Sequence, residues 1–145
     1  MNARHPQAAG PLGWDTPNRI HLWGWAPLPA HRLPERFRFL LRNTTANYLV
    51  EYRTGFPFSV VDEQGFLQGQ PNGRRFPDYF NINLHFERRF SAIHYQWAWR
   101  CGFDNLTNNG NPNYVNNVIG TPQFLTYARG QARAFSVRLR FLGRK

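Results

Sequence analysis

The residues that carry most enzyme chemistry are scarce in this chain. Its 145 residues include eight carboxylates, one cysteine and three isolated serines, with no nucleophile elbow and no Gly-rich phosphate loop. A nucleophile needs a base within reach and a third group that orients the base. Asp78 with Glu87, or Asp62 with Glu63, are the carboxylate pairs that could be drawn as acid and base. Nothing in their spacing brings them together, and carboxylates in polar loops are by default solvated. The expectation is a non-enzymatic chain with no catalytic residue and no cofactor.

Metal chemistry is equally thin. Cys101 is alone, so no intrachain disulfide can form, and no Cys/His spacing suggests zinc. His5, His21, His31, His85 and His94 contain no helical i, i+4 pair. No metal ligand is assigned. Tyr95, Trp97 and Trp99 could stack on a sugar or a base, with Arg100 beside them in the chain. That would make the chain a soluble all-β binding module for a glycan or single-stranded nucleic acid. The alternative role for the same aromatics is to anchor strands in lipid.

Charge bears on the choice of partner. The formal charge of +10 comes from 18 basic and eight acidic residues, and 17 of the basic ones are Arg. They are dispersed: Arg74-Arg75 and Arg88-Arg89 are the adjacent pairs, and Arg138, Arg140, Arg144 and Lys145 make one loose cluster. A nucleic-acid footprint concentrates such residues in a patch or stripe, so no specific nucleic-acid partner is expected. The other large contribution is aromatic, with 13 Phe, six Tyr and five Trp, which suits pleated and interfacial surfaces.

The elements that position these residues are strands. Side chains alternate between the two faces of a strand, so a period of two marks one that is apolar on one side. Phe80, Ile82, Leu84, Phe86 and Phe90 share a face against Asn81, Asn83, His85, Glu87 and Arg89, with Arg88 interrupting the apolar side. From His94 to Asp104, Tyr95, Trp97, Trp99, Cys101 and Phe103 oppose Gln96, Ala98, Arg100 and Gly102. From Ala134 to Phe141, Phe135, Val137, Leu139 and Phe141 oppose Ser136, Arg138 and Arg140. Asn18–Ala26 and Arg36–Arg53 are also expected as strands. The second changes phase, with Phe37, Phe39 and Leu41 in odd register and Ala46, Tyr48, Val50 and Tyr52 in even, so Asn43-Thr44-Thr45 must hold a bulge or turn.

Connections alternate in length. Ser91-Ala92-Ile93 is short, whereas 54–79 and 106–133 are long and rich in Gly, Pro and Asn. Asn108-Asn109-Gly110 is expected to shape its loop, since Asn and Gly tolerate positive φ. Transmembrane barrels have this asymmetry, with short periplasmic turns and long extracellular loops. On that pattern 54–79 and 106–133 are extracellular, and 91–93 and about 27–43 periplasmic. No run of about 18 apolar residues suggests a membrane helix, and Met1–Pro6 lacks the apolar core of a secretory signal. Four or five strands cannot close a barrel, so the strands are expected to be the tail of a longer polypeptide.

Four segments in order, "RTGFPFSVVDEQG", "RRFPDYFNINLHFERRF", "GFDNLTNNGNPNYVNNVIGTPQF" and "RAFSVRLRFLGRK", together resemble the C-terminal end of TonB-dependent receptor-like barrels. The resemblance covers about Pro17 to Lys145, leaving 1–16 as a loop or disordered lead. It implies an all-β fold, an antiparallel meander of four to five strands forming part of a transmembrane barrel wall in the bacterial outer membrane. It implies substrate uptake by the complete, plugged, 22-stranded receptor. It also implies as partners outer-membrane lipid, the remaining barrel strands and the barrel-insertion machinery. Phe135, Val137, Leu139 and Phe141 match the family's assembly signal, followed here by Leu142-Gly143-Arg144-Lys145. Phe80, Phe86, Phe90, Tyr95, Trp97, Trp99 and Phe103 are the implied lipid-facing or interfacial aromatics.

Overall fold

The computed structural model describes residues 10–32, 34–128 and 130–144. Expectations for 1–9, including His5 and the Met1–Pro6 segment, and for Lys145 lie outside them. The chain is all-β. In order it forms β1 (Arg19–Pro27), a 3-10 turn (Ala30–Arg32), α1 (Glu35–Leu41), β2 (Thr44–Arg53), β3 (Pro57–Phe58), β4 (Arg74–Arg75), β5 (Tyr79–Ala92), β6 (Tyr95–Asp104), β7 (Tyr114–Val115), β8 (Tyr127–Ala128) and β9 (Ala134–Arg144). Five strands make one antiparallel meander in the order β1-β2-β5-β6-β9. Two small ribbons, β3-β4 and β7-β8, form within the two long connections.

The periodic segments become the long strands. β5 and β6 are joined by a two-residue turn at Ile93-His94, with Ala92 paired to Tyr95. The connection expected at 91–93 therefore sits one residue later and is tighter. Both turn residues have positive φ, 52° and 60°. That is the backbone of a type I′ hairpin, whose twist matches that of the strands it joins. β9 does not stop at Phe141. Trp97 pairs with Phe141 and Gln96 with Gly143, so Leu142 is the extra residue of a bulge, and Gly143 takes φ 122° beside it.

One expected strand is a helix. Phe37, Phe39 and Leu41 lie in α1, not in an odd-register strand. Pro34 stands at its N-terminal boundary, where a proline cannot join a ladder but does not obstruct a helix. Glu35 sits in the first turn, one turn from Arg38, at 3.5 Å. Arg42 ends the helix with extended backbone and Asn43 follows at φ 57°, which makes the expected turn and delivers the chain into β2 at Thr44.

The chain divides into two compact units. The described parts of Met1–Ile20, Tyr52–Phe80 and Gly110–Gln131 form one, and those of His21–Glu51, Asn81–Asn109 and Ala132–Lys145 the other. The first has its own small core of Phe58, Val60 and Val115, packed by Phe76, Phe124 and Leu125. Phe58 and Phe76 meet edge to face at 5.3 Å. Bonds between the two loops hold it: Val61 N–H donates to Asn117 O, Ile119 N–H to Val61 O, and Asn117 Nδ2 to Ser59 O at 2.7 Å. Arg75 donates to the carbonyls of Asp15 and Gly55 and pairs with the Asp15 carboxylate. The long connections thus fold on each other instead of standing as irregular loops.

Candidate functional site

In the second unit, register assembles the apolar face from rows that run across three strands. Leu84, Phe103 and Phe135 make one row, Phe86, Cys101 and Val137 the next, then Arg88, Trp99 and Leu139, and finally Phe90, Trp97 and Phe141. Cross-strand neighbours on one face are close enough to pack. Phe103 and Phe135 lie 5.1 Å apart, and Phe141 touches both Trp97 at 5.3 Å and Tyr95 at 5.4 Å. Six of the seven aromatics singled out from the sequence therefore gather on one surface. The seventh, Phe80, is half-buried at the start of β5. There Asn111 accepts from the Phe80 N–H and donates to its carbonyl, as a strand neighbour would.

This surface is uncovered. Phe135, Val137, Leu139 and Phe141 are 57 to 66% exposed, and on β1 Leu22, on the side where Gly24 meets Tyr48, is 54% exposed. Both are edge strands of the sheet. On β5 and β6 the buried side chains lie on the opposite, polar face: Asn81, His85 and Ala98. A water-soluble sheet of this pattern has the reverse arrangement, with its apolar face inward.

The polar face holds a cluster that sequence reasoning missed. His85 Nε2 lies 3.2 Å from Ser136 Oγ and 3.7 Å from the Asp104 carboxylate. Gly102 makes room for the β5 backbone and the imidazole, because a Cβ there would stand 2.2 Å from Leu84 O and 2.8 Å from His85 Cδ2. Serine, histidine and aspartate together invite comparison with a hydrolytic triad. In a triad, however, the carboxylate holds Nδ1 so that Nε2 can take the serine proton. Here both partners approach Nε2, and the arrangement orients a serine without activating it. The sequence signal that could have found the cluster is the shared polar parity of His85, Asp104 and Ser136 on three successive strands.

Beside it, Arg140 donates to Glu87 Oε2 at 2.6 Å, while Arg89 stands 3.9 Å from Oε1. Arg100 and Arg138 face each other across β6 and β9. Arg100 therefore lies on the face opposite the tryptophans and adds no cation to their surface. The proposed acid/base carboxylates have structural partners. Asp78 accepts from the Tyr52 hydroxyl at 2.7 Å and from Gly55 N–H, and Asp62 accepts from Gln64 N–H, Phe66 N–H and Gln68 Nε2.

The Asn-rich loop is built by its own side chains. Asn105 is fully buried at φ 50°, its Oδ1 accepting from Asn109 N–H and its Nδ2 donating to Asn109 O. Asn108 Oδ1 accepts from Arg133 N–H. A separate recess of about 750 Å³ lies near Trp25, Leu28, Leu41, Asn47, Glu87 and Arg89. Among the described residues no three His, Cys, Asp or Glu side chains are placed to share a metal ion, and no helix is long and apolar enough to cross a membrane. Comparison with protein-family models, with curated proteins and with solved structures gives no match to this chain.

Proposed function

We propose that this chain supplies five strands to the wall of an outer-membrane β-barrel of the TonB-dependent receptor-like kind. Its role is non-catalytic, and it serves substrate uptake through the complete barrel. The observation that carries the reading is the inverted sheet: four cross-strand rows, apolar but for Arg88, uncovered on one face, and the buried polar side chains on the other. Lipid is the environment that rewards such a face, and a water-filled or plug-filled lumen is the one that accepts Asn81, His85, Arg100 and Arg138. Open ladders on β1 and β9 support the same reading, because an unpaired edge in hydrocarbon costs several kcal/mol per polar group and further strands would close it. The two long connections leave from one end of the meander and the Ile93-His94 turn from the other, as in barrels with long loops on the extracellular side.

Cys101, the chain's single cysteine, lies on the apolar face between Phe86 and Val137 and provides the test. A nitroxide attached there, in the full chain reconstituted with phospholipid vesicles, is expected to collide with dissolved oxygen in preference to a water-soluble nickel chelate. A nitroxide at Ser136→Cys, in a Cys101→Ser background, is expected to show the opposite preference. Equal access of the chelate to both positions would mean that water covers both faces, and the barrel reading would be lost.

A further inference from the structure

The charges on the polar face of β5, β6 and β9 are unevenly paired. Register sets Glu87 directly across from Arg100, and Arg100 directly across from Arg138. Residues so placed stand about 5 Å apart at Cβ, and like charges there repel. Glu87 is the carboxylate in position to neutralise the two arginines, yet it bonds Arg140 and leans toward Arg89. Asp104 is drawn to His85. Among the described residues, no carboxylate stands within ion-pair distance of Arg100 or Arg138.

Arg100 and Arg138 both line a cleft of about 310 Å³, together with His85, Asp104, Ser136 and Val137. At about 30 Å³ per water, that holds a small hydrated ion. His85, 7% exposed, holds the Ser136 hydroxyl of that lining at 3.2 Å. A carboxylate on the Nε2 side favours the tautomer that carries its proton there. Nε2–H then donates to Ser136 Oγ, and the serine hydroxyl proton is left to point into the cleft. Two planar guanidinium forks and one hydroxyl donor match the acceptor oxygens of a tetrahedral oxyanion.

We infer that Arg100 and Arg138, with the Ser136 hydroxyl, form a binding site for a small oxyanion of the phosphate class. The bound anion neutralises the facing guanidiniums, and Asp104 sets the upper limit on the negative charge the cleft accepts. The inference stands on register within β5, β6 and β9 and does not depend on what covers the apolar face.

Inorganic phosphate is the probe, titrated into the full chain folded in detergent micelles at constant ionic strength set with chloride. Binding is read by calorimetry, and stability by the thermal unfolding midpoint. The unaltered chain is expected to bind phosphate saturably and to unfold at a higher temperature in its presence. Arg138→Gln is expected to weaken binding about tenfold or more, the loss of a bidentate charge-assisted contact. In chloride alone the same variant is expected to unfold no earlier than the unaltered chain, because the cross-strand repulsion is gone. Arg100→Gln makes the same test from the facing strand, so a folding defect in one variant leaves the other to decide. Arg144→Gln, at the end of β9, is expected to keep the full phosphate response. Absence of saturable binding, or equal phosphate responses in the unaltered chain, Arg138→Gln and Arg100→Gln, would overturn the site.

Discussion

Replacing Leu139 by arginine puts a charge into the middle of the uncovered rows and separates lipid from water as their surroundings. Leu139 lies in the third of the four rows, opposite Trp99, and is 62% exposed. If that exposed surface faces lipid, a charge near the midplane costs about 2–4 kcal/mol. Losing the transfer of the leucine adds its share: complete burial of such a side chain is worth about 1.5–3 kcal/mol, so the uncovered part contributes about 1–2 kcal/mol. The expected destabilisation of Leu139→Arg in vesicles is therefore about 3–6 kcal/mol. If the same surface faces water, the change stays within about 0.5 kcal/mol. The assay is a urea titration of the full chain folded in phospholipid vesicles, followed by tryptophan fluorescence. Arginine placed in turn at Phe135, Val137, Leu139 and Phe141 turns the single value into a depth profile. The profile is expected to peak at the central pair, Val137 and Leu139, and to fall toward both ends, where the penalty of the charge is about 0–1 kcal/mol. A flat profile, with every variant within about 0.5 kcal/mol of the unaltered chain, would mean that water, not lipid, covers these rows.

Other positions test the scaffold. Ile93 is 85% exposed, so replacing it costs little packing, and a β-branched residue in the left-handed region carries about 1–2 kcal/mol of strain. Ile93→Asn with His94→Gly is expected to raise the denaturant midpoint by an amount worth about 1–2 kcal/mol, and no change or a fall would disprove the type I′ assignment. Asn105→Ala removes both side-chain bonds to Asn109 and leaves alanine at positive φ, an expected loss of about 2–4 kcal/mol seen in the same titration and in faster amide exchange through 105–111. Gly102→Ala drives a methyl into the backbone of β5 and is expected to displace His85 from Ser136; an unchanged imidazole resonance for His85 would show that the strands can part at no cost.

Strand identity was legible in the sequence wherever alternation ran unbroken. Phe80–Phe90, His94–Asp104 and Ala134–Phe141 each declare two faces, and these became β5, β6 and β9 with boundaries shifted by three residues at most. Turn chemistry was legible at Asn108, because tolerance of positive φ belongs to the residue itself, and at Asn43 the change of strand phase marked the turn. Alternation failed at Phe37, Phe39 and Leu41, where three residues suit a helical turn as readily as a short strand and Pro34 decided for the helix. Ile93-His94 was opaque for the opposite reason: neither residue favours the turn, and the pairing of the flanking strands imposes it.

What tertiary structure alone decided is which distant residues meet. Phe58, Val60 and Val115 are unremarkable letters in two separate loops, and they become a core because hydrogen bonds between those loops hold them together. The parity of Glu87, Arg100, Arg138 and Arg140 follows from alternation, but whether Glu87 neutralises Arg100 or Arg140 does not. That choice depends on register across three strands, set by the Ile93-His94 turn on one side and the Leu142 bulge on the other. Periodicity is a property of neighbours in the chain and survives in the letters. Pairing across 53 residues, as between Glu87 and Arg140, exists only once the strands have closed on each other.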